Sequence, residues 1–451
     1  MRWRRHKKRK WNRVLVLLLL LTLTTAGIVV YAVESGQKKE KVGLDESING
    51  IQTGESAENE ENSADQESAV LSETAIETET LVGIATETET ETGQMTEYEP
   101  TRQRAAEFIS RMTIEEKVAQ MFFITPELLT GTELVTAAGD VTTNAFDRYP
   151  VGGLVYFAKN LETPDQTRDM LRDVQEYALQ TQEFPVFLGV DEEGGRVLRI
   201  ASNSVFGVPK TEAMGVLAAQ KDTQVIRDAA DTIGVYLSDL GFNVNFAPDA
   251  DVLTNESNQA IGDRSFGSDP HIVADMAWAY TEGLHQHGIL ACYKHFPGHG
   301  GTVEDTHAGY AYSYKTIGEL KETELVPFQS GCDRGIDFIM VSHVSIPNVT
   351  GGDIPATLSG ELVTDLLRQE MGFQGIIITD SMSMGAVSEH YSPGEAAVMA
   401  VQAGCDMLLM ADHFEPSYNA VLDAVADGEI AEEEIDASVL RIIEAKLRLT
   451  D

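Results

Sequence analysis

The segment GILACYKHFPGHGGTVEDTH, residues 288–307, contains the strand and loop patterns that decide how this chain is interpreted. Its first part is mostly apolar and predicts a buried β-strand over residues 290–296. Pro297 and the glycines after it oppose a continuing strand or helix, so a loop is predicted to follow. Asp305 and His307 lie two residues apart in that loop, and on an extended backbone both side chains point the same way. The carboxylate of Asp305 can then orient or charge the imidazole of His307.

Short apolar runs like this one recur along the chain and alternate with amphipathic stretches of helical length. The predicted strands cover residues 120–125, 152–158, 185–191, 243–248, 290–296, 337–343, 375–381 and 406–412. Helices are predicted between them, at residues 164–179, 222–240, 270–287, 317–334, 359–370 and 393–403. Eight strands alternating with helices predict an α/β fold, a parallel (β/α)8 TIM barrel.

Polar and charged residues follow most of the predicted strands, which is typical of the barrel end where active sites lie. Any one of them could be a helix N-cap or part of a loop salt bridge, but a barrel would gather them at one mouth. Carboxylates, Arg, Lys and His without a phosphate-binding glycine loop suit a neutral sugar, whose hydroxyls donate and accept hydrogen bonds. The stretches are DEEGGRVLR (191–199), FAPDADV (246–252), IGDRSFGSDP (261–270), KH (294–295), SHV (342–344), D (380) and DH (412–413).

Asp380 ends the apolar strand GIIITDS and is the predicted nucleophile. Retaining glycoside cleavage needs a carboxylate that attacks the anomeric carbon and a proton donor across the scissile bond. The structural alternative for Asp380 is a helix N-cap.

The run KHFPGHGGT at 294–302, followed by Asp-Thr-His at 305–307, closely resembles the signature of glycoside hydrolase family 3, in its β-N-acetylglucosaminidase branch. The stretch ITDSMSMGA at 378–386 resembles the segment that carries the nucleophile of that family. Gly301 differs from the acidic residue or Asn of many members, and this difference touches no charged catalytic group. The resemblance extends over residues 105–448 and implies a single-domain enzyme whose proton donor lies on its own loop.

Residue by residue, the resemblance implies Asp380 as the nucleophile and His307, paired with Asp305, as the acid/base. An imidazole with a pKa of about 6.5, raised by a carboxylate, can donate a proton and later accept one. A structural histidine is the alternative for His307. The sugar is implied to be held by Asp191, Arg199, Arg264, Lys294 and His295.

No metal and no other cofactor are implied. The alternative is a zinc site built from the histidines of this loop and Asp305. The spacing of those residues fits no compact two-histidine metal motif.

The prediction is a retaining exo-β-N-acetylglucosaminidase that removes terminal GlcNAc from glycans or peptidoglycan fragments through a covalent glycosyl-aspartate intermediate. A glycoside phosphorylase is the enzymatic alternative, because a neutral histidine repels incoming phosphate less than a carboxylate would. An inactive glycan-binding barrel is the non-enzymatic alternative, and the presence of every proposed reacting group counts against it.

The N-terminal end predicts a membrane anchor. Residues 1–13 carry eight Lys or Arg, and residues 14–33 are mostly apolar and long enough to cross about 30 Å of hydrocarbon as a transmembrane helix. The basic flank predicts a cytoplasmic N-terminus and an exported remainder, so the catalytic domain would be extracellular at the cell membrane. The alternatives are a cleaved signal peptide, which would leave a secreted protein, and a nucleic-acid patch.

Residues 34–100 are rich in Glu, Thr, Ser and Gly and are predicted to be a disordered acidic linker before a catalytic domain at 101–451. The net charge of −39 argues against nucleic acid as a partner. The expected partners are a carbohydrate substrate and, through residues 14–33, the membrane; a monomer is favoured.

Three cysteines, Cys292, Cys332 and Cys405, have no paired spacing. Their odd number excludes a complete disulfide framework, so buried free thiols are expected. A nucleophilic Cys292 is the alternative.

Overall fold

The computed structural model describes residues 95–303, 306, 309–411 and 413–450. Its strands, in chain order, are β1 Phe122–Ile124, β2 Gly153–Val155, β3 Phe187–Val190, β4 Val244–Asn245, β5 Leu290–Phe296, β6 Ala311–Tyr312, β7 Phe338–Val341, β8 Val344–Ser345, β9 Ile376–Thr379 and β10 Leu408–Leu409. Eight of them form one sheet in the order β10-β1-β2-β3-β4-β5-β7-β9, and β6 pairs separately with β8. All neighbours in the large sheet run parallel. The predicted eight-stranded parallel sheet is therefore confirmed.

The two end strands of this order also meet. A parallel bridge joins Ile378 of β9 to Met407, next to β10, and the Thr379 amide donates to the Met407 carbonyl at 3.0 Å. Pairing around the whole circumference closes the sheet into a barrel. The C-terminal ends of its strands consequently open at one mouth.

Most strands are shorter than the apolar runs that predicted them, although β5 has the predicted bounds. The strand predicted at 243–248 is limited to β4, because Pro248 lacks the amide hydrogen that a sheet interior uses. The residues left out include Asp191 and Asp380 at the C-terminal strand ends, but also the apolar Tyr156 and Phe246 and, at the opposite end, Asp406.

The helices surround this sheet. The predicted helix 317–334 is divided at Thr323, whose φ of −137° and ψ of −83° are not helical, and the stretch 359–370 forms a helix with π-type hydrogen bonding. The helix bounds are Met95–Ile109, Ile114–Gln120, Pro126–Thr130, Asp140–Arg148, Pro164–Gln182, Met214–Ala218, Thr223–Leu240, Pro270–His285, Ile317–Glu322, Leu325–Arg334, Pro347–Thr350, Glu361–Glu370, Gly385–Ser388, Pro393–Ala403, Phe414–Ala426 and Glu432–Arg448.

Aromatic side chains fill the inside of the barrel below the mouth. The Phe123 ring lies 6.2 Å from Phe187 and 5.1 Å from Phe246, measured between centroids, and Phe187 lies 5.3 Å from Phe338. A Cβ at Gly189 would come within 2.7 Å of the Phe123 ring, so only glycine leaves room for it. This packed layer is a rigid base for the polar residues above it.

The N-terminal predictions fall mostly outside the described residues. The segments 1–13 and 14–33, and the linker as far as residue 94, stay predictions. The helices that the structure does describe are too short or too polar to span a membrane. The predicted domain boundary at residue 101 falls inside the helix Met95–Ile109, which places Ala105 and Ile109 in the core.

The three cysteines are free thiols, as predicted, with Cys292 and Cys405 buried. Burial raises the pKa of the Cys292 thiol. A thiol held in its neutral form is a poor nucleophile, which disfavours the alternative role for Cys292.

Candidate active site

Acidic and basic side chains meet at the barrel mouth because they follow neighbouring parallel strands. Few of them are in contact with bulk solvent, and their arrangement is a network of ion pairs. The residues are Asp191, Glu192 and Glu193 after β3, Asp249, Asp251 and Arg264 on the connection between β4 and the helix Pro270–His285, and Lys294 and His295 at the end of β5.

Lys294 links the two acids that alternate after β3. Its ammonium lies 3.0 Å from Asp191 Oδ1 and 2.6 Å from Glu193 Oε1. Burial alone would lower the pKa of Lys294, but the two carboxylates outweigh burial and raise the pKa. Lys294 is therefore a buried, fully charged group with a fixed position.

Arg264 binds Glu193 through two parallel hydrogen bonds, from Nε at 2.8 Å and from Nη2 at 2.9 Å. Burial would raise the pKa of Glu193, but Arg264 and Lys294 together hold it below its ordinary value. Charge-assisted, bidentate pairs of this kind fix geometry as well as charge. Glu193 was not singled out from the sequence, although its alternation with Asp191 at a strand end was a usable signal.

His295 lies between an acid and a base. Its Nδ1 is 2.7 Å from Asp251 Oδ2, and its Nε2 is 3.3 Å from Arg264 Nη2. Because a guanidinium can only donate, Nε2 must accept, which assigns the proton to Nδ1. Burial, followed by the charge of Arg264, lowers the pKa of His295 to about 3. His295 is therefore neutral at physiological pH.

Asp251 also anchors the loop after β5. Its Oδ1 accepts the His299 amide at 2.6 Å. The His299 imidazole in turn lies 2.7 Å from Thr302 Oγ1 and 3.3 Å from Thr306 Oγ1. His299 therefore supports the loop on both sides of residue 305.

Asp380 follows β9 at the same mouth. Its amide donates to the Val341 carbonyl at 2.8 Å, and its Oδ1 accepts the Ser381 amide at 2.7 Å. Burial raises the pKa of Asp380, but the His295 and His343 imidazoles and the Ser381 amide outweigh it and lower the pKa. The carboxylate is ionised at neutral pH, which is the form that a nucleophile needs.

His343 fixes the loop that follows Asp380. It is fully buried, and its Nε2 donates to the Ser381 carbonyl at 2.9 Å. Its Nδ1 lies 2.8 Å from Thr357 Oγ1. The contact with Ser381 holds the backbone next to Asp380.

Arg199 approaches the site from the loop after β3. Its Nη2 is 3.7 Å from Asp191 Oδ2, and its Nε is buried without a hydrogen-bond partner among the described residues. The loop is held by Glu192, whose carboxylate accepts the amides of Arg199 at 2.6 Å and Ile200 at 2.9 Å. A donor without a partner in a preformed loop is available to a ligand.

The structure thus brings Asp191, Arg199, Arg264, Lys294 and His295 into one connected network, with Asp380 close enough to interact electrostatically. His307 and Asp305 lie outside the described residues, as does Asp412, so the acid/base pair stays a prediction. His413 is exposed at the start of the helix Phe414–Ala426 and joins none of these contacts.

Asp249, Asp251 and His295 are the described residues that could supply a metal site, with ligand atoms within 4.8 Å of one another. Their surroundings do not suit a cation. Arg264 Nε is 3.4 Å from Asp249 Oδ2, and Arg264 Nη2 approaches His295 Nε2. A guanidinium already provides the positive charge of this position.

Comparisons with known proteins show the family of this chain. A family model described as "Glycosyl hydrolase family 3 N terminal domain" matches residues 113–445. The chain is 31% identical to beta-hexosaminidase A of Pseudoalteromonas piscicida over 323 residues, which are 67% of this chain and 54% of that protein. It is 35% identical to a beta-hexosaminidase of Xylella fastidiosa (strain M23) over 279 residues, which are 61% of this chain and 80% of that protein.

A solved structure is also similar, that of a glycoside hydrolase family 3 beta-N-acetylglucosaminidase from Paenibacillus sp. str. FPU-7. It has a TM-score of 0.70 and 35% sequence identity, over 75% of this chain and 63% of that chain. The barrel and its charged mouth fit the class that the family match defines, the glycoside hydrolases. The chain belongs to glycosyl hydrolase family 3. It spans about half the length of the P. piscicida relative.

Proposed function

We propose that this protein is a retaining exo-β-N-acetylglucosaminidase that removes terminal GlcNAc from glycans or peptidoglycan fragments. The observation that carries the proposal is Asp380, an ionised carboxylate at the barrel mouth beside the buried network of Lys294, Arg264 and His295. The names of the P. piscicida, X. fastidiosa and Paenibacillus relatives support an N-acetylhexosamine substrate.

In the first step, the Asp380 carboxylate attacks the anomeric carbon while the bond to the glycosidic oxygen breaks. His307 gives its proton to that oxygen, and a covalent glycosyl-aspartate results. In the second step His307 accepts a proton from water, the water oxygen attacks the anomeric carbon, and Asp380 is released. Two inversions at one carbon give net retention. Asp305 would stabilise the imidazolium that donates in the first step and forms again in the second.

The sugar would be held by the network. The Asp191 carboxylate can accept a hydroxyl proton, while Arg199 Nε and the Lys294 ammonium can donate. Neutral His295 adds no charge to this surface, which suits a substrate without charge. We further propose that the enzyme works outside the cell, anchored through residues 14–33.

The test is an assay of the purified chain on nitrophenyl glycosides of GlcNAc and of glucose, with and without phosphate. Release of GlcNAc with the β-anomer appearing first, at a rate independent of phosphate and of a metal chelator, is the expected result. A sugar phosphate as product would favour a phosphorylase. An initial α-anomer would contradict retention, and no turnover of any glycoside would favour a binding barrel.

A further inference from the structure

The segment after the predicted acid/base loop, residues 309–315, has a tyrosine at every second position. It contains β6, which pairs with β8 through Ala311 and Val344, and the Ser313 amide donates to the Ser345 carbonyl at 3.0 Å. On an extended strand alternate side chains share a face. Ala311 is fully buried, so the tyrosines lie on the opposite, outer face.

The three tyrosines and His390 form one row of rings, which we call the aromatic ladder. His390 stacks on Tyr310 with ring centroids 4.1 Å apart and planes 14° from parallel. Tyr310 lies 6.0 Å from Tyr312, and Tyr312 lies 5.9 Å from Tyr314 with planes 11° from parallel. The ladder is therefore continuous from the loop after Asp380 to the outer end of β6.

The ladder is connected along the chain to both predicted reacting residues, His307 and Asp380. Tyr310 is three residues from His307, so the chain length alone limits their Cα separation to about 11 Å. His390 belongs to the loop that begins at Asp380. β8 directly follows His343, which holds that loop at the Ser381 carbonyl.

The outer end of the ladder is open to solvent. Tyr314 is 67% exposed, and Val303, on the other side of the predicted acid/base loop, is 69% exposed. Large apolar groups in contact with water on both sides of one loop are more typical of a binding surface than of a core. Burial and the nearby Tyr391 raise the pKa of Tyr310 to about 12, so this ring carries no charge near neutral pH.

We propose that the aromatic ladder binds the leaving-group side of the substrate, namely the neutral sugar residues to which the removed GlcNAc is linked. This inference rests on the proposed function. The acid/base must contact the glycosidic oxygen, which joins the removed GlcNAc to the leaving group. A surface that continues from the acid/base away from the GlcNAc would therefore contact the leaving group. Tyrosine combines an apolar ring face for the C–H side of a pyranose with a hydroxyl for its oxygens.

The test compares Tyr314→Ala with the unchanged full chain on substrates of different length. The substrates are the nitrophenyl glycoside of GlcNAc and β-linked GlcNAc dimers, trimers and tetramers. We expect kcat/KM for the trimer and tetramer to fall about tenfold, as for the loss of one aromatic contact, and kcat/KM for the nitrophenyl glycoside to change less than about twofold. Tyr314→Phe should retain most of the length dependence, and Val235→Ala, an exposed apolar residue on the outer helix Thr223–Leu240, should behave as the unchanged chain.

A second measurement separates this inference from the proposed function. Calorimetric binding of the tetramer to Asp380→Asn, with and without Tyr314→Ala, does not require turnover. An affinity about tenfold lower in the double variant supports the ladder even if the nitrophenyl substrate is not cleaved. Equal affinities of the single and double variants, or equal losses of kcat/KM for every substrate length, would show that the ladder does not bind the leaving-group sugars. Neither result would contradict the proposed function.

Discussion

Asp249 is a buried carboxyl group in an unusual electrostatic setting. It is 1% exposed, its Oδ1 accepts the Asp251 amide at 3.0 Å, and its Oδ2 has no hydrogen-bond partner among the described residues. Burial, followed by the negative charge of Asp251, raises the pKa of Asp249 to about 7. The group therefore exchanges a proton close to physiological pH, and this has a measurable consequence for stability.

Because the folded pKa of Asp249 is above its ordinary value of 3.8, folding favours the protonated form. The free energy of unfolding should fall as pH rises from about 4 to 7, by at most about 1.4 kcal/mol per pH unit, and level off above 7. Asp249→Asn should remove this decline. Denaturant unfolding at pH 5, 6, 7 and 8 measures the free energy of unfolding of both proteins. If that free energy changed with pH in the same way in the unchanged chain and in Asp249→Asn, the raised pKa would not belong to Asp249. Glu193, whose pKa lies below 4.5, does not titrate in this window.

Asp380 provides the sharpest test of the chemistry. Asp380→Asn should reduce kcat by at least about 10³-fold, because the amide cannot form the glycosyl ester. The far-ultraviolet circular dichroism spectrum should be unchanged, because the substitution leaves the fold intact. A mechanism-based fluoroglycoside should label Asp380, as located by peptide mass spectrometry. Asp423→Asn, at an exposed carboxylate on an outer helix, is the matched control. Labelling of a carboxylate other than Asp380 would show that the nucleophile is a different residue.

The predicted acid/base role of His307 and Asp305 can be tested with substrates that have different leaving groups. His307→Ala should slow substrates with poor leaving groups far more than nitrophenyl glycosides, because only the former need protonation. Added azide should restore part of the second step, and Asp305→Asn should act in the same direction more mildly. Equal losses on good and poor leaving groups would assign both residues to binding.

Asp406 connects three elements at the opposite end of the barrel. Its Oδ2 accepts Arg368 Nη2 at 2.6 Å and the Ile377 amide of β9 at 2.8 Å. Its Oδ1 accepts Ser438 Oγ at 2.8 Å and Arg441 Nε at 3.0 Å. The carboxylate is fully buried. It attaches the helices Glu361–Glu370 and Glu432–Arg448 to the point where the barrel closes.

Asp406→Asn should destabilise the fold by about 3–5 kcal/mol, because two arginines would lose their counter-charge in the interior. Urea unfolding measures the change. Arg102→Ala, which removes an exposed pair with Glu444, should change stability by less than about 1 kcal/mol. A similar small effect for both variants would show that the Asp406 cluster is not a structural centre.

At the scale of the whole molecule, every described site residue lies between Asp191 and Asp380, and the predicted acid/base pair lies between them in sequence. Removing residues 1–86 should therefore leave kcat/KM on a soluble nitrophenyl glycoside unchanged within about twofold. Removing residues 1–109 should lower the melting temperature, because the helix Met95–Ile109 buries Ala105 and Ile109. Loss of activity in the shorter deletion would reveal a contribution of the N-terminal segment to the site.

The sequence by itself determined the barrel, because buried parallel strands are short apolar runs that local composition reveals. It also indicated which end of the barrel forms the mouth, since polar residues follow the C-terminal ends of the parallel strands and these ends lie together. β5 was predicted to the residue, whereas the helix predicted at 317–334 divides at Thr323. The prediction of which residues face the substrate came from the family resemblance rather than from local pattern.

Only the tertiary structure decided how those residues are charged and paired. Glu193 meets Arg264 and Lys294 across 71 and 101 residues of sequence, and the proton on His295 is assigned by Asp251 and Arg264, both on the connection after β4. The aromatic ladder likewise needs His390 to meet Tyr310. Burial and Coulomb interactions depend on distances in the folded structure, and spacing along the sequence does not give those distances.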